Sequence, residues 1–239
     1  MGQFKPSKWA NSEYRNHEGF ALVSTAPTRI GPLAFGDRST HFIDRDGRRL
    51  NDLELDDGRS FSEGLASVSL NGTSGCIDRS GQFVIAPHFA WVQPFSEGLA
   101  AASIRDESGE HWGFIDKAGA MVIPARFDGA GEFSEGLAVV IVNGKYGYID
   151  KTGTLVIELR FPVSRSFSEG RAAFMDESGH YGFIDRQGRV VVPAQFYPLV
   201  KDYENGLAFV DVAPRDSIGS DPKYGYIDFD GNYVWPPSK

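Results

Sequence analysis

The sequence predicts an all-β protein made of six repeated β-meanders, and it favours a six-bladed β-propeller. Three observations support this prediction: a hexapeptide recurs along the chain, a second motif follows it at a constant distance, and hairpin turn signals separate short apolar runs. The 28 glycines among 239 residues agree with a chain that contains many turns.

The first motif is Phe-Ser-Glu-Gly-Leu-Ala. It is complete at 61–66, 95–100 and 133–138, recurs at 167–172 with Arg171 in place of the leucine, and has weaker copies around Gly19 and Gly206. The spacing of its glycines indicates one repeat domain over residues 1–239. Its six units are predicted at about 17–54, 55–88, 89–126, 127–160, 161–195 and 196–239.

Each unit is predicted to be a meander, as residues 137–167 illustrate. Leu137 to Val142 is a β-branched run that ends at Asn143-Gly144, a strong signal for a two-residue hairpin turn. A second strand begins at Tyr146, the turn 150–153 starts with Asp and ends with Gly, and a third strand follows. The segment 161–167 could add a short fourth strand. Because the repeat is shorter than the ~40–45 residues of a usual four-stranded blade, an open β-hairpin solenoid is the alternative.

The second motif, aromatic-Gly-aromatic-Ile-Asp, resembles the WG (KWG) repeat of bacterial proteins. It is carried by Trp112-Gly113, Tyr146-Gly147, Tyr181-Gly182 and Tyr224-Gly225, and the resemblance covers about residues 17–235. Cys76 and Phe42 mark the units that depart from the full motif. The resemblance implies an all-β repeat scaffold for binding and brings no established enzyme chemistry.

Composition limits the partners and the compartment. A net charge of −8 and a pI near 5.1 disfavour nucleic acid and anionic membranes, because both require a basic surface. The single cysteine excludes an internal disulfide framework and fits a reducing compartment. With no secretory signal and no apolar run of membrane length, we expect a cytoplasmic protein that is a monomeric scaffold.

No residue pattern predicts catalysis, a cofactor or a metal. Cys76 occupies a position where the other units have buried aromatic residues, and the five histidines do not cluster at metal-ligand spacing. The aspartate of the second motif lies where a turn needs an acceptor, and the glutamate of Ser-Glu-Gly is expected to form turn or inter-unit hydrogen bonds. We therefore expect a protein that is not an enzyme.

The irregular residues are the candidate binding residues, because a scaffold repeats and a binding surface need not. The longer hairpin loops would share one rim of a propeller and supply Arg105, Asp106, Glu107, Glu110, Asp176, Glu177, Arg215 and Asp216. The innermost strands would line a funnel and supply Arg59, Trp91, Gln93 and Arg165.

The function predicted from these features is that of a non-enzymatic protein-binding module. A sharper version is an immunity protein that neutralises a basic effector enzyme, since the chain is acidic. A small-ligand or glycan-binding propeller is the alternative, and it would need exposed aromatic rings with polar partners. An enzyme in the funnel would need an acid and a base at irregular positions, and the sequence shows no such pair.

Overall fold

The computed structural model describes residues 18–25, 28–30, 33–35, 39–197, 200–212 and 223–237, and every regular element in these ranges is a β-strand. The chain divides into two compact units, Met1–Arg126 and Phe127–Lys239. The first contains β1 (Ala21–Thr25), β2 (Thr28–Ile30), β3 (Leu33–Phe35), β4 (Ser39–Ile43), β5 (Asp57–Gly58), β6 (Leu65–Leu70), β7 (Thr73–Asp78), β8 (Phe83–Phe89), β9 (Trp91–Val92), β10 (Ala100–Asp106), β11 (Gly109–Ile115) and all but the last residue of β12 (Met121–Phe127). The second contains β13 (Gly129–Ser134), β14 (Leu137–Val142), β15 (Lys145–Asp150), β16 (Leu155–Phe161), β17 (Val163–Ser164), β18 (Arg171–Met175), β19 (Tyr181–Asp185), β20 (Val190–Phe196), β21 (Ala208–Asp211), β22 (Tyr224–Ile227) and β23 (Tyr233–Trp235).

These strands form repeated antiparallel meanders. Four sheets have four strands each, in the orders β5-β6-β7-β8, β9-β10-β11-β12, β13-β14-β15-β16 and β17-β18-β19-β20. Near the chain ends, β1 pairs with β4, β2 with β3, and β21-β22-β23 form a three-stranded sheet. The all-β repeat fold predicted from the sequence is confirmed, and sequential up-and-down pairing is the strand order of a propeller blade. The short strand expected within residues 161–167 is present as β17, where it is the first strand of the following sheet.

Aromatic packing between successive sheets forms the core. In the second unit, Tyr148 of β15 is fully buried and its ring centroid lies 4.8 Å from that of Phe167, the first residue of the next hexapeptide. Phe183 and Tyr203 repeat this contact at 4.9 Å. In the first unit, Phe42 and Phe61 do so at 5.1 Å. In these three pairs, the aromatic residue of one repeat packs on the first residue of the next hexapeptide.

The glycine of the second motif is required by a close backbone approach. Between Tyr146 and Tyr148, β16 bulges over β15, and a Cβ on Gly147 would lie 2.6 Å from the carbonyl oxygen of Ile157. The equivalent distances at Gly75, Gly113 and Gly182 are 2.4, 2.4 and 2.5 Å. No side chain fits at these positions, because the last strand of each sheet crosses over the glycine. This crossing explains why the motif has glycine after the aromatic residue.

Candidate binding surfaces

The aspartate of each second motif caps its own turn. In all six copies within the described residues, Oδ1 accepts hydrogen bonds from the backbone N–H groups two and four residues later, at 2.8–3.1 Å. The prediction of turn caps is confirmed. The hydroxyl of Thr152 also donates to Asp150, at 2.6 Å, and this hydrogen bond is the main cause that lowers the pKa of Asp150.

A pH dependence follows from this capping. Because the pKa of Asp150 is lower in the folded chain than its unfolded value of about 3.9, its contribution to stability is present above pH ~4 and is lost as the pH falls through the folded pKa. We expect Thr152→Val to lower the melting temperature at neutral pH, with the difference from wild type closing as the pH falls below the folded pKa of Asp150. Thermal unfolding followed by circular dichroism between these pH values measures the difference.

The matched control is Thr73→Val, whose hydroxyl donates to the Leu70 carbonyl, a group that does not titrate. Its effect on the melting temperature should not depend on pH. A Thr152→Val difference that is equally independent of pH would contradict the assignment.

Within each compact unit, the glutamate of Ser-Glu-Gly joins one repeat to the next. Both carboxylate oxygens of Glu63 lie within 3.2 Å of the N–H of Gly98, which donates to them. Glu135 accepts from Gly170 in the same way, at 2.9 and 3.1 Å. The serine helps, since Ser134 Oγ donates to the carbonyl oxygen of Phe167 at 2.7 Å. The sequence predicts that this glutamate forms hydrogen bonds either in a turn or between repeats, and these contacts show that it bonds between repeats.

The basic residue of the second motif completes this junction. The Lys117 ammonium lies 3.1 Å from the Glu63 carboxylate. Burial acts to raise the pKa of Glu63, but Lys117 and the N–H of Gly98 outweigh it and lower that pKa. In the last repeat, Phe229 stands where the other second motifs have a lysine or arginine. Arg171 stands where the three complete hexapeptides have leucine, and its guanidinium carbon lies 5.4 Å from the Phe229 ring centroid. The two residues that depart from the motifs, Arg171 and Phe229, therefore contact each other and keep a cation at this junction.

Cys76 is a buried structural residue, as the sequence predicts. Its exposed fraction is 0%, and burial raises the pKa of its thiol to about 12. The thiolate that a nucleophile or a metal ligand would require is therefore strongly disfavoured.

Two hairpin tips have the same sequence, Asp-Glu-Ser-Gly, and the same hydrogen bonds. Asp106 Oδ1 accepts from the N–H and the hydroxyl of Ser108, at 2.8 and 2.6 Å. Asp176 accepts from Ser178 at 2.9 and 2.7 Å. Each serine oxygen also lies 2.7 Å from a histidine nitrogen, on His111 or His180. Because the serine proton points to the aspartate, the histidine must donate to the serine and cannot act as its base.

The remaining described loop residues predicted to bind lie on or near these tips, where Arg105, Glu107 and Glu177 are exposed and Glu110 is half-buried. Arg105 and Glu110 face each other across the hairpin base and pair at 2.8 Å. Glu177 is 79% exposed and pairs with Lys145 at 2.7 Å, so the tips of two neighbouring hairpins in the second unit lie side by side. Arg215 and Asp216 lie outside the described residues.

The residues predicted to line a funnel are divided between the two compact units, with Arg59, Trp91 and Gln93 in the first and Arg165 in the second. In the first unit, Arg59 and Trp91 line one narrow cavity of about 10 Å³, room for a single water, and Trp91 is 45% exposed. Gln93 follows β9 and is half-buried. In the second unit, Arg165 donates to the carbonyl oxygen of Val200 at 3.0 Å and lies 5.8 Å from the Tyr181 ring centroid.

One charged cleft was missed by the sequence analysis. It has a volume of about 380 Å³ and lies in the second unit, where it is lined by Arg165, Ser168, Lys201, Asp202, Tyr203 and Glu204. Lys201 occupies the position of Arg59, Gln93 and Arg165 in the weakest copy of the hexapeptide, and this alignment was the signal that could have found it.

The described part of the chain lacks two features, a cluster of metal-ligand residues and a membrane-spanning helix. No group of three or more His, Cys, Asp or Glu residues there could hold a metal ion. Nor does that part contain a helix of the length and apolar character needed to cross a membrane.

Family comparison agrees with the repeated geometry. The profile of the WG containing repeat matches residues 42–73, 75–106, 112–146, 146–178 and 181–212, more than half of the chain. Chains of this class are arrays of short β-repeats, and this protein belongs to the WG repeat family. No curated protein matches it.

Solved structures resemble the chain only at low identity. A quinonprotein alcohol dehydrogenase-like protein from Bacteroides thetaiotaomicron is 11% identical, with a TM-score of 0.48 over 95% of this chain and 67% of that one. BamB from Moraxella catarrhalis is 13% identical, with a TM-score of 0.43 over 89% of this chain and 77% of BamB. The WD40 β-propeller domain of Doa1 is 11% identical, with a TM-score of 0.43 over 77% and 68% of the two chains.

Proposed function

We propose that the chain is a non-enzymatic protein-binding module that acts in the cytoplasm as a monomeric scaffold. One observation carries the proposal: the recurring acids of the described repeats are engaged in the scaffold, whereas the irregular acids project at exposed hairpin tips. Asp150 caps its turn and Glu63 joins two repeats, while Glu107 and Glu177 project from ordered tips. A preformed surface loses little conformational entropy when a partner binds.

The finer proposal is an immunity protein that neutralises a basic effector enzyme. Its support is the charge of the tips: Arg105, Asp106, Glu107 and Glu110 together carry a formal charge of −2, and Asp176 with Glu177 carry another −2. Acidic residues on ordered loops steer a basic partner and favour it over acidic competitors.

The test is affinity capture with the tagged chain, with partners identified by mass spectrometry. The double variant Glu107→Lys/Glu177→Lys reverses charge at the equivalent place in both tips without removing the capping aspartates. We expect the wild type to recover one basic protein at equal stoichiometry and the variant to bind it at least about tenfold more weakly. The recovered protein should be an enzyme whose activity falls when an equimolar amount of the chain is added.

The matched control is Asp52→Lys/Glu54→Lys, which changes the charge by the same amount at exposed residues away from the tips. Both double variants should melt within a few degrees of wild type, because surface substitutions usually change stability by less than about 0.5 kcal/mol. Equal loss of binding in both would indicate a nonspecific charge effect. Undiminished binding of the tip variant would remove the tips from the proposal.

A further inference from the structure

The cleft of the second unit combines regular walls with irregular charges. Ser168 donates to the carbonyl oxygen of Tyr203 at 2.7 Å, and the Tyr203 hydroxyl donates to the carbonyl oxygen of Asp228 at 2.8 Å. The serine bond recurs as Ser134 to Phe167, so these walls belong to the scaffold. Of the four charged residues of the lining, Asp202 and Glu204 are not part of the repeated pattern, whereas Arg165 and Lys201 share a repeat position that is also basic at Arg59.

The preceding junction of the same unit shows the contrast. There the positions of Lys201, Asp202 and Glu204 are held by Arg165, Ser166 and Ser168, and the position of Arg165 is held by Gly131. At these four positions the preceding junction therefore has one charged residue, whereas the cleft has four. The preceding junction is built without three of these charges, so a structural role does not account for those three.

No hydrogen bond or ion pair joins these four side chains to one another within the described residues. Within the described residues, the carboxylates of Asp202 and Glu204 make no hydrogen bond or ion pair. Arg165 uses one Nη atom on the Val200 carbonyl, which leaves its other N–H groups available. The Lys201 ammonium lies 5.6 Å from the Phe209 ring centroid.

The electrostatics of Asp202 favour a cationic neighbour. Burial raises the pKa of this carboxyl, and Arg165 offsets only part of the rise. The Asp202 residue is nevertheless exposed, so its carboxylate oxygens are open to a ligand, and an ammonium group that donates to them stabilises the charged form. Arg165 can likewise hold a carboxylate through its free N–H groups.

We propose that this cleft binds a small zwitterion that carries both an ammonium group and a carboxylate, such as a free α-amino acid. The carboxylate is bound by Arg165 and Lys201, and the ammonium group by Asp202 and Glu204. The lining has two positive and two negative side chains, so a ligand with one charge of each sign satisfies both pairs. The proposal is independent of protein binding by the hairpin tips.

The test is an NMR titration of the ¹⁵N-labelled full chain at constant ionic strength and pH 7. The probes are glycine, acetate and methylammonium, which present both groups, the carboxylate only and the ammonium only. We expect glycine to shift the amide signals of Arg165, Ser168 and residues 201–204 and to saturate. Acetate and methylammonium should bind at least about tenfold more weakly, because each loses one pair of charge-assisted hydrogen bonds.

The variants Asp202→Asn and Arg165→Gln should each weaken glycine binding at least about tenfold. Asp202→Asn is the decisive variant, because this side chain bonds to nothing in the described fold and its loss should leave the amide spectrum otherwise unchanged. The control is Glu158→Gln, an exposed acid on β16 of the same unit, which should bind glycine like wild type. The proposal is overturned if acetate or methylammonium binds as well as glycine, if glycine shifts no cleft signal, or if Asp202→Asn binds glycine normally.

Discussion

Phe167→Ala is expected to lower the free energy of unfolding by about 3–5 kcal/mol, the usual cost of truncating a buried phenylalanine. The Phe167 ring is 2% exposed and packs on Tyr148 with a centroid distance of 4.8 Å. Its removal leaves a cavity between two sheets that are held together mainly through such rings. Urea unfolding followed by tryptophan fluorescence measures the change.

The control for this variant is Val156→Ala on β16, because Val156 is 46% exposed and should cost less than about 1 kcal/mol. Comparable losses in the two variants would show that the hexapeptide phenylalanine is not the core residue of the junction.

Gly147→Ala is expected to cost about 3 kcal/mol, at the upper end of the range for overpacking. The added methyl carbon would lie 2.6 Å from the Ile157 carbonyl oxygen and 2.9 Å from the Leu159 nitrogen. Both are backbone atoms of a hydrogen-bonded strand, so the bulge of β16 must shift as a whole. The same urea titration measures the loss.

The control for the glycine variant is Gly129→Ala, where the nearest atom is Cδ1 of Ile141 at 2.8 Å. That atom ends a flexible side chain that can rotate away, so Gly129→Ala should be clearly less destabilising. A Gly147→Ala chain as stable as wild type would mean that the motif glycine is not required by the crossing strand.

The fold was predictable because its signals are local. Asn143-Gly144 adopts the left-handed backbone of a two-residue hairpin turn, with φ of 51° and 72°, and the Asp150 turn closes as its residue types require. The junctions between repeats were only partly predictable. The sequence shows that Glu63 recurs, but not that it adopts a positive φ of 52° and accepts from a glycine 35 residues later.

The candidate sites were less predictable, for a physical reason. The exposed tips could be found from irregular loop length, since Asp106 and Asp176 begin insertions in otherwise regular hairpins. The charged cleft joins Arg165 to Lys201, which are one repeat apart in the chain. Only the stacking of successive sheets brings them together, and no local pattern encodes that distance.

Within each compact unit, the type of joint made by Glu63 and Gly98 has a direction, because one repeat offers a carboxylate and its successor offers an amide. A duplicated gene segment that encodes one whole repeat would therefore carry both halves of the joint and could be inserted in register between existing copies. Such an array can lengthen or shorten by whole repeats during evolution, while its exposed hairpin ends diverge independently of one another.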